Sequence, residues 1–109
     1  MIEFVTINLD KPRRLRFGFG AMAEYDRLTG GGLLRDRDQM TMDEYAKALW
    51  VMLKREEPDI TIEQVYDLVD DNCSSIYEVI GAINEAISLA VNYNEGETKN
   101  AKAPKSKKD

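Results

Sequence analysis

The chain has 109 residues, of which 43% are hydrophobic and 32% are charged, and this length and apolar content predict one compact domain and exclude a chain that is unfolded throughout. Its formal net charge of −5 argues against general nucleic-acid binding, because an acidic body repels phosphate. The absence of histidine excludes Ser-His-Asp and Cys-His catalysis, so we predict a binding protein with no catalytic residues, cofactor or metal.

The first predicted element is a β-hairpin. The segment from Ile2 to Leu9 is rich in β-branched and aromatic residues, and Asp10-Lys11-Pro12 supplies a turn before Arg13 to Phe17. Two strands alone are marginally stable in water, so we expect their apolar face to pack on helices and their arginines to lie on a solvated face. The residues expected on the apolar face are Phe4 or Val5, Leu15 and Phe17.

A first helix is predicted from Phe19 to Leu28, and Gly30 is placed to end it in the left-handed conformation. The charged stretch from Gly31 to Gln39 lacks periodicity and predicts a loop. Residues Gly18 to Ala23 match the dinucleotide-binding pattern G-x-G-x-x-A, but that site needs a parallel sheet continued by further βα units. Only helices and loops are predicted beyond Leu28, so we interpret these glycines as the start of the first helix.

Three later helices are predicted from a Ser or Thr followed three positions on by Glu or Gln, the pattern of a capping box. The pairs are Thr41/Glu44, Thr61/Gln64 and Ser75/Glu78. Each pair precedes an apolar run with helical spacing. The run after Thr41 surrounds the helix axis, which suits a central helix, and Pro58 separates that helix from the next. Asp70-Asp71-Asn72 is expected to end the third helix.

Residues 1–93 are therefore predicted to form a single domain of the α+β class, mainly α, with an N-terminal hairpin and about four helices. The segment 94–109 has no large apolar residue and predicts a disordered, Lys-rich tail. This tail carries a net charge of +2, so residues 1–93 carry −7, a charge that either favours basic partners or only maintains solubility. No segment has the length of a bilayer span, and the first residues lack the features of a secretory signal, so we expect no membrane partner and a cytoplasmic location.

Two other motifs predict no site. The segment Asp70–Gly81 begins like the calcium-binding loop of an EF-hand, but Ser75 replaces the required glycine and Gly81 replaces the closing glutamate. The basic and aromatic stretch Arg13–Phe19 is similar in composition to a nucleic-acid platform, but it belongs to an acidic chain. Cys73 follows two aspartates, which disfavour its thiolate, so we do not expect it to act as a nucleophile.

The stretch RRLRFGFGAMAEYDRLTGGGLL, from Arg13 to Leu34, resembles the start of the tail assembly chaperones of long-tailed bacteriophages. In that family a short hairpin leads through a basic and apolar strand into a helix that ends in a Leu-Thr-Gly segment. Later parts follow the same outline, with a middle helix over Tyr45–Leu53, the segment TIEQVYDLVD from Thr61 to Asp70, and a long last helix ending in Glu85-Ala86-Ile87. The resemblance covers most of the chain.

This resemblance implies a non-enzymatic chaperone that binds the phage tape measure protein, keeps that long helical polypeptide soluble and helps to recruit tail tube subunits. It also implies action in the host cell cytoplasm and absence from the mature virion, and it leaves open whether the chain forms a homo-oligomer. Many members of the family have a longer second product made by a ribosomal frameshift, and Lys107-Lys108 is compatible with a slippery codon run.

A chaperone of this kind needs an adaptable apolar surface with charged surroundings, which methionine-rich helices supply. We expect this surface near the second helix and near the junction between the hairpin and the first helix. The residues predicted to contact a partner are Phe19, Met22, Tyr25, Trp50 and Met52. Two alternatives stay open: a structural virion component, such as a connector or tail completion subunit, and a small acidic regulator of a host protein.

Overall fold

The computed structural model describes residues 1–31 and 40–91. Its elements in chain order are β1 (Val5–Asn8), β2 (Pro12–Leu15), α1 (Phe19–Thr29), α2 (Met42–Leu53), α3 (Ile62–Asn72) and α4 (Ile76–Val91). Within these ranges the predicted class is confirmed, since an N-terminal hairpin is followed by four helices. The predicted loop lies outside the described residues except for Gly31, and the predicted tail lies outside them completely.

The hairpin directs one face toward the helices. β1 and β2 are antiparallel, with Val5 opposite Leu15 and Ile7 opposite Arg13. Side chains alternate between the two faces of a strand, so these four share one face. Ile7, Leu15 and Phe17 are buried in the core, whereas Val5 is half-buried. The expectation that Leu15 and Phe17 pack on helices is confirmed.

Two expectations for the hairpin are wrong, and of the alternatives Phe4 and Val5 it is Val5 that packs against the core. Phe4 is exposed, and the guanidinium carbon of Arg14 lies 4.7 Å from the centre of its ring, an arrangement favourable for a cation–π contact. Pro12 is the first residue of β2 and pairs with Asn8, so it does not belong to the turn. A proline is tolerated at the first position of an edge strand. Arg13 is buried, because strand alternation places it on the same face as Leu15.

Arg13 connects the hairpin turn to the segment between α2 and α3. Its Nε and Nη2 atoms donate to the two carboxylate oxygens of Asp10, each at 3.0 Å, and its Nη1 atom donates to Glu57 at 2.8 Å. The guanidinium beside Asp10 lowers the pKa of that carboxyl, since a hydrogen-bonded cation favours the charged form. Arg13 is only 4% exposed, whereas the side chains of Asp10 and Glu57 are 41% and 45% exposed, so these ion pairs lie at the edge of the packed interior.

The first and second helices follow the prediction closely. α1 ends at Gly30, which has φ of 80° and whose N–H donates to the carbonyl oxygen of Asp26. Glycine adopts this left-handed conformation without the steric cost of a Cβ atom. α2 is the central helix, since it packs against α1, α3, α4 and β2. Its buried residues are Ala48, Leu49, Val51, Met52 and Leu53.

Two of the three predicted capping boxes are confirmed. At the start of α2 the Glu44 N–H donates to the Thr41 hydroxyl at 3.1 Å, while the Glu44 side chain accepts from the Thr41 N–H at 2.9 Å. Thr61 and Gln64 repeat both bonds at the start of α3. These reciprocal bonds satisfy backbone donors that have no partner inside the helix.

The third capping box is wrong, although α4 begins where the pattern places it. The Ser75 hydroxyl accepts from the Tyr77 N–H at 3.2 Å, and the Glu78 carboxylate accepts from the Ser74 hydroxyl at 3.5 Å. The end of α3 falls within the predicted segment Asp70-Asp71-Asn72. The helix continues through Asn72, whose side-chain amide donates to a carbonyl of the preceding turn, and it ends at the extended Cys73.

Candidate functional site

An open apolar groove of about 590 Å³ lies between α2, α3 and α4, and we call it the three-helix groove. Buried core residues of all three helices form its floor: Leu49, Val65, Val69, Val79 and Ile83. Large apolar side chains stand at its rim, where Met42 is 60% exposed, Tyr66 44% and Ile76 45%. Apolar surface therefore continues from the protein interior out to solvent.

The groove exists because α3 and α4 both pack on α2 while making few contacts with each other. Val65, Tyr66 and Val69 lie on one side of α3, since residues three and four positions apart share a helix face and Val69 is four positions from Val65 and three from Tyr66. Ile76, Val79, Ile80 and Ile83 form the facing stripe on the first two turns of α4. The two apolar stripes border a gap that no described residue fills.

A polar contact holds α2 and α4 together beside the groove. The Tyr45 hydroxyl and the Asn84 side-chain amide lie within hydrogen-bond distance, with Tyr45 Oη 3.2 Å from Asn84 Nδ2 and 3.3 Å from Asn84 Oδ1. Tyr45 also lines the groove, so its ring is positioned by this contact. This contact therefore fixes α2 and α4 relative to each other at this side of the groove without a bound partner.

The groove is bordered by negative charge. Two carboxylates line it, Asp43 on α2 and Asp70 on α3, and none of its lining residues is Lys or Arg. Asp43 is paired with Lys47 at 2.8 Å, and this hydrogen bond raises the pKa of the Lys47 ammonium. Asp70 has no ion pair with any residue in the described ranges. It is therefore available to a cation supplied from outside.

The structure places the five predicted contact residues in different environments. Phe19 is exposed at the start of α1, whereas Met22 and Trp50 are half-buried. The indole N–H of Trp50 donates to the Ile60 carbonyl oxygen at 2.8 Å, and the ammonium nitrogen of Lys54 lies 4.9 Å from the centre of a ring of this side chain. None of the five lines the three-helix groove.

Tyr25 and Met52 are buried in the core and present no surface to a partner, which corrects their predicted role. The Tyr25 ring meets Phe17 edge to face, with ring centres 5.7 Å apart and an interplanar angle of 76°. Burial, the largest cause, raises the pKa of Tyr25 to about 12, because the charged phenolate is poorly solvated there. Both residues contribute to packing.

Phe19 lines a second cavity, of about 490 Å³, at the junction of the hairpin with α1 and the end of α2. Its lining is mixed in charge, since Glu24 and Lys54 form an ion pair there beside Arg16 and Arg55. This cavity lies at the junction where a partner surface is predicted from the sequence, and that role stays a prediction. It offers a partner less continuous apolar surface than the three-helix groove does.

The sequence prediction missed Met42, Tyr66 and Ile76 as groove residues. A signal was present, because Tyr66 beside Val65 and Ile80 beside Val79 make the apolar stripes wider than packing on one neighbouring helix requires. The angle between α3 and α4 decides whether such extra width is buried, and that angle is set by contacts distant in sequence.

Other kinds of site receive no support from the described parts of the chain. Residues 1–31 and 40–91 contain no group of three or more His, Cys, Asp or Glu side chains placed to hold a metal ion. Among the helices of the same ranges, none is both long and apolar enough to cross a membrane. No known protein family, curated protein or solved structure matches the chain.

Proposed function

We propose that this chain is a non-enzymatic tail assembly chaperone of a long-tailed bacteriophage and that it binds a helical segment of the tape measure protein in the three-helix groove. The observation that carries the proposal is the continuous apolar surface from the buried floor to the exposed rim residues Met42, Tyr66 and Ile76. Amphipathic helices bind to other proteins by placing their apolar side in such a groove. The resemblance of Arg13–Leu34 to tail assembly chaperones supplies the identity of the partner.

The chemistry of the groove fits a role in keeping an apolar helix dispersed. Its walls are aliphatic and aromatic, and Met42 supplies a flexible side chain that adapts to different partner surfaces. Covering the apolar stripe of a long helix removes surface that otherwise drives aggregation. In the complex, water then contacts the charged outer surface of the chaperone and no longer contacts the apolar stripe. Recruitment of tail tube subunits is assigned to other surfaces, for which the exposed Phe19 is a candidate.

The test is co-expression with the tape measure protein of the same phage, encoded by a very long reading frame, followed by measurement of its soluble yield and of co-purification. The native chain is expected to raise the yield and to co-purify. Ile76→Lys places a charge at the groove rim and is expected to abolish both effects. Tyr77→Lys is the matched control, because Tyr77 is the next residue, is 79% exposed and does not line the groove.

An unchanged yield with no complex refutes the chaperone role. Recovery of the chain as a stoichiometric part of purified virions instead supports a structural virion component, such as a connector or completion subunit. Equal loss with Ile76→Lys and Tyr77→Lys excludes the three-helix groove as the binding surface. Thermal unfolding of both variants establishes that they remain folded.

A further inference from the structure

We infer that the three-helix groove selects amphipathic helices whose apolar stripe is bordered by Lys or Arg. This inference rests on the proposed function, because it defines the chemistry of the partner at the same groove. It arises from an unequal distribution of charge along the chain. Residues 56–91 contain nine Asp and Glu and no Lys or Arg: Glu56, Glu57, Asp59, Glu63, Asp67, Asp70, Asp71, Glu78 and Glu85.

The rest of the molecule has the opposite balance. Residues 1–55 contain ten Lys and Arg and eight Asp and Glu, a net charge of +2, against −9 for residues 56–91. The cationic side chains Arg14, Arg16 and Arg55 meet at the hairpin, around a small cavity with Phe4 that shares no residue with the three-helix groove. Both helices that face each other across the groove, α3 and α4, therefore lie entirely in the anionic part.

The groove residues place this charge where a bound helix meets it. Asp43 and Asp70 line the groove from different helices, and because Asp43 is already paired with Lys47, Asp70 is the lining carboxylate that has no ion pair within the described ranges and can meet a cation on a bound helix. A Lys or Arg beside the stripe lays its aliphatic part on the rim and extends its cationic end to an aspartate. Glutamate at the same position meets the like charge of Asp70, which disfavours acidic helices of equal apolarity. The charge also accelerates association with basic partners, since long-range attraction raises the encounter rate.

The Lys-rich end of this chain does not meet these requirements. Residues 94–109 supply five lysines but no large apolar side chain, so they have nothing to fill the apolar floor. The occupant must carry both an apolar stripe and cationic flanks. A segment of another protein meets both conditions.

The experiment measures binding of the full chain to three fluorescent helical peptides of about 18 residues, long enough to form several turns. All three share one leucine stripe, and their flanking positions hold lysine, glutamine or glutamate. The lysine peptide is expected to bind about threefold more tightly than the glutamine peptide, from one rim pair with Asp70, since Asp43 is already paired with Lys47, and the glutamate peptide is expected to bind most weakly. About 0.5 M salt is expected to remove most of the difference, because the rim is exposed to solvent.

Two variants locate the effect. Asp70→Asn is expected to weaken the lysine peptide about threefold and to leave the glutamine peptide unchanged. Asp26→Asn is the control, because it removes the same charge from an exposed position on α1 that does not line the groove. Ile76→Lys is expected to weaken both peptides, since both depend on the apolar rim.

The outcomes separate this inference from the proposed function. Equal affinities for the three peptides overturn the charge selection and leave the groove as the binding site. Failure of all three peptides while the tape measure protein co-purifies also overturns the inference alone, whereas failure of both refutes the proposed function as well. Equal weakening by Asp26→Asn and Asp70→Asn shows general attraction to an acidic protein. Conversion of a homodimer to monomers by Ile76→Lys shows that a second copy occupies the groove, which overturns the inference.

Discussion

Replacing Arg13 with methionine is expected to lower the free energy of unfolding by about 2 kcal/mol. Hydrogen bonds to charged groups contribute about 1.5–3 kcal/mol when both partners are buried. Here the arginine is buried, but the side chains of Asp10 and Glu57 are 41% and 45% exposed and regain water when the arginine is lost. The contribution of each ion pair to the free energy of unfolding is therefore about 1 kcal/mol, near the upper limit for exposed pairs. Methionine keeps the apolar contacts of the arginine side chain, so the loss of stability is due to the missing ion pairs and not to lost packing.

Urea denaturation followed by fluorescence measures this loss, since Trp50 is the only tryptophan. Arg14→Met is the matched control. Arg14 is the next residue and pairs with Glu56 at 2.8 Å, but its side chain is 58% exposed, so we expect a loss below about 1 kcal/mol. Combining Arg13→Met with Glu57→Gln in a double-mutant cycle isolates the contact between the hairpin and the α2–α3 connection.

A stability equal to or above that of the native chain refutes the reasoning. Such a result shows that desolvating the Arg13 guanidinium costs as much as its three hydrogen bonds contribute, as occurs for some buried ion pairs. Equal losses for Arg13→Met and Arg14→Met also contradict it, because they remove the distinction between a buried and an exposed cation.

Three further predictions concern the core and the caps. Phe17→Ala is expected to cost about 3–5 kcal/mol and Phe17→Leu about 1–2 kcal/mol in urea denaturation, because leucine keeps most of the volume but loses the edge-to-face contact with Tyr25; similar losses for both variants contradict this. Since Tyr25 has a folded pKa of about 12 against the ordinary 10.0, its contribution to stability is complete below pH 10 and falls as the pH rises toward 12. Urea midpoints across this pH range are expected to fall less in Tyr25→Phe than in the native chain, and an equal fall excludes Tyr25 as the cause. Thr61→Ala is expected to lower stability by about 1 kcal/mol through loss of the capping box, with thermal unfolding as the measurement; an unchanged midpoint refutes it.

Local hydrogen-bond patterns explain why most of the fold was predictable. The caps at Thr41 and Thr61 depend on residues only three positions apart, so the sequence contains the whole motif. The predicted capping box of α4 is wrong because two serines are adjacent. The Ser74 hydroxyl donates to the Glu78 carboxylate, a contact that the pattern assigns to Ser75. A competing hydroxyl one residue away is enough to change such a motif.

Long-range geometry explains what was not predictable. Alternation in β2 places Arg13 on the inner face with Leu15, but its partner Glu57 is 44 residues away. The partner-binding prediction included Tyr25 and Met52 because aromatic and methionine side chains occur both in cores and at interfaces. Residue type alone does not distinguish these environments. The three-helix groove depends on how α3 and α4 diverge above α2, which no local motif encodes.

The Arg13–Glu57 contact also constrains the order of events during synthesis. The hairpin is made early, but its connection to the α2–α3 segment cannot form until Glu57 has been added, 44 residues after Arg13. At about 5–20 residues per second, this interval lasts about 2–9 s on the ribosome. Until Leu53 is added, 38 residues after Leu15, the central helix α2 is incomplete, so Leu15 and Phe17 lack the surface against which they are finally buried. The newly made hairpin therefore exposes apolar surface to premature association, and docking of α2 ends that exposure.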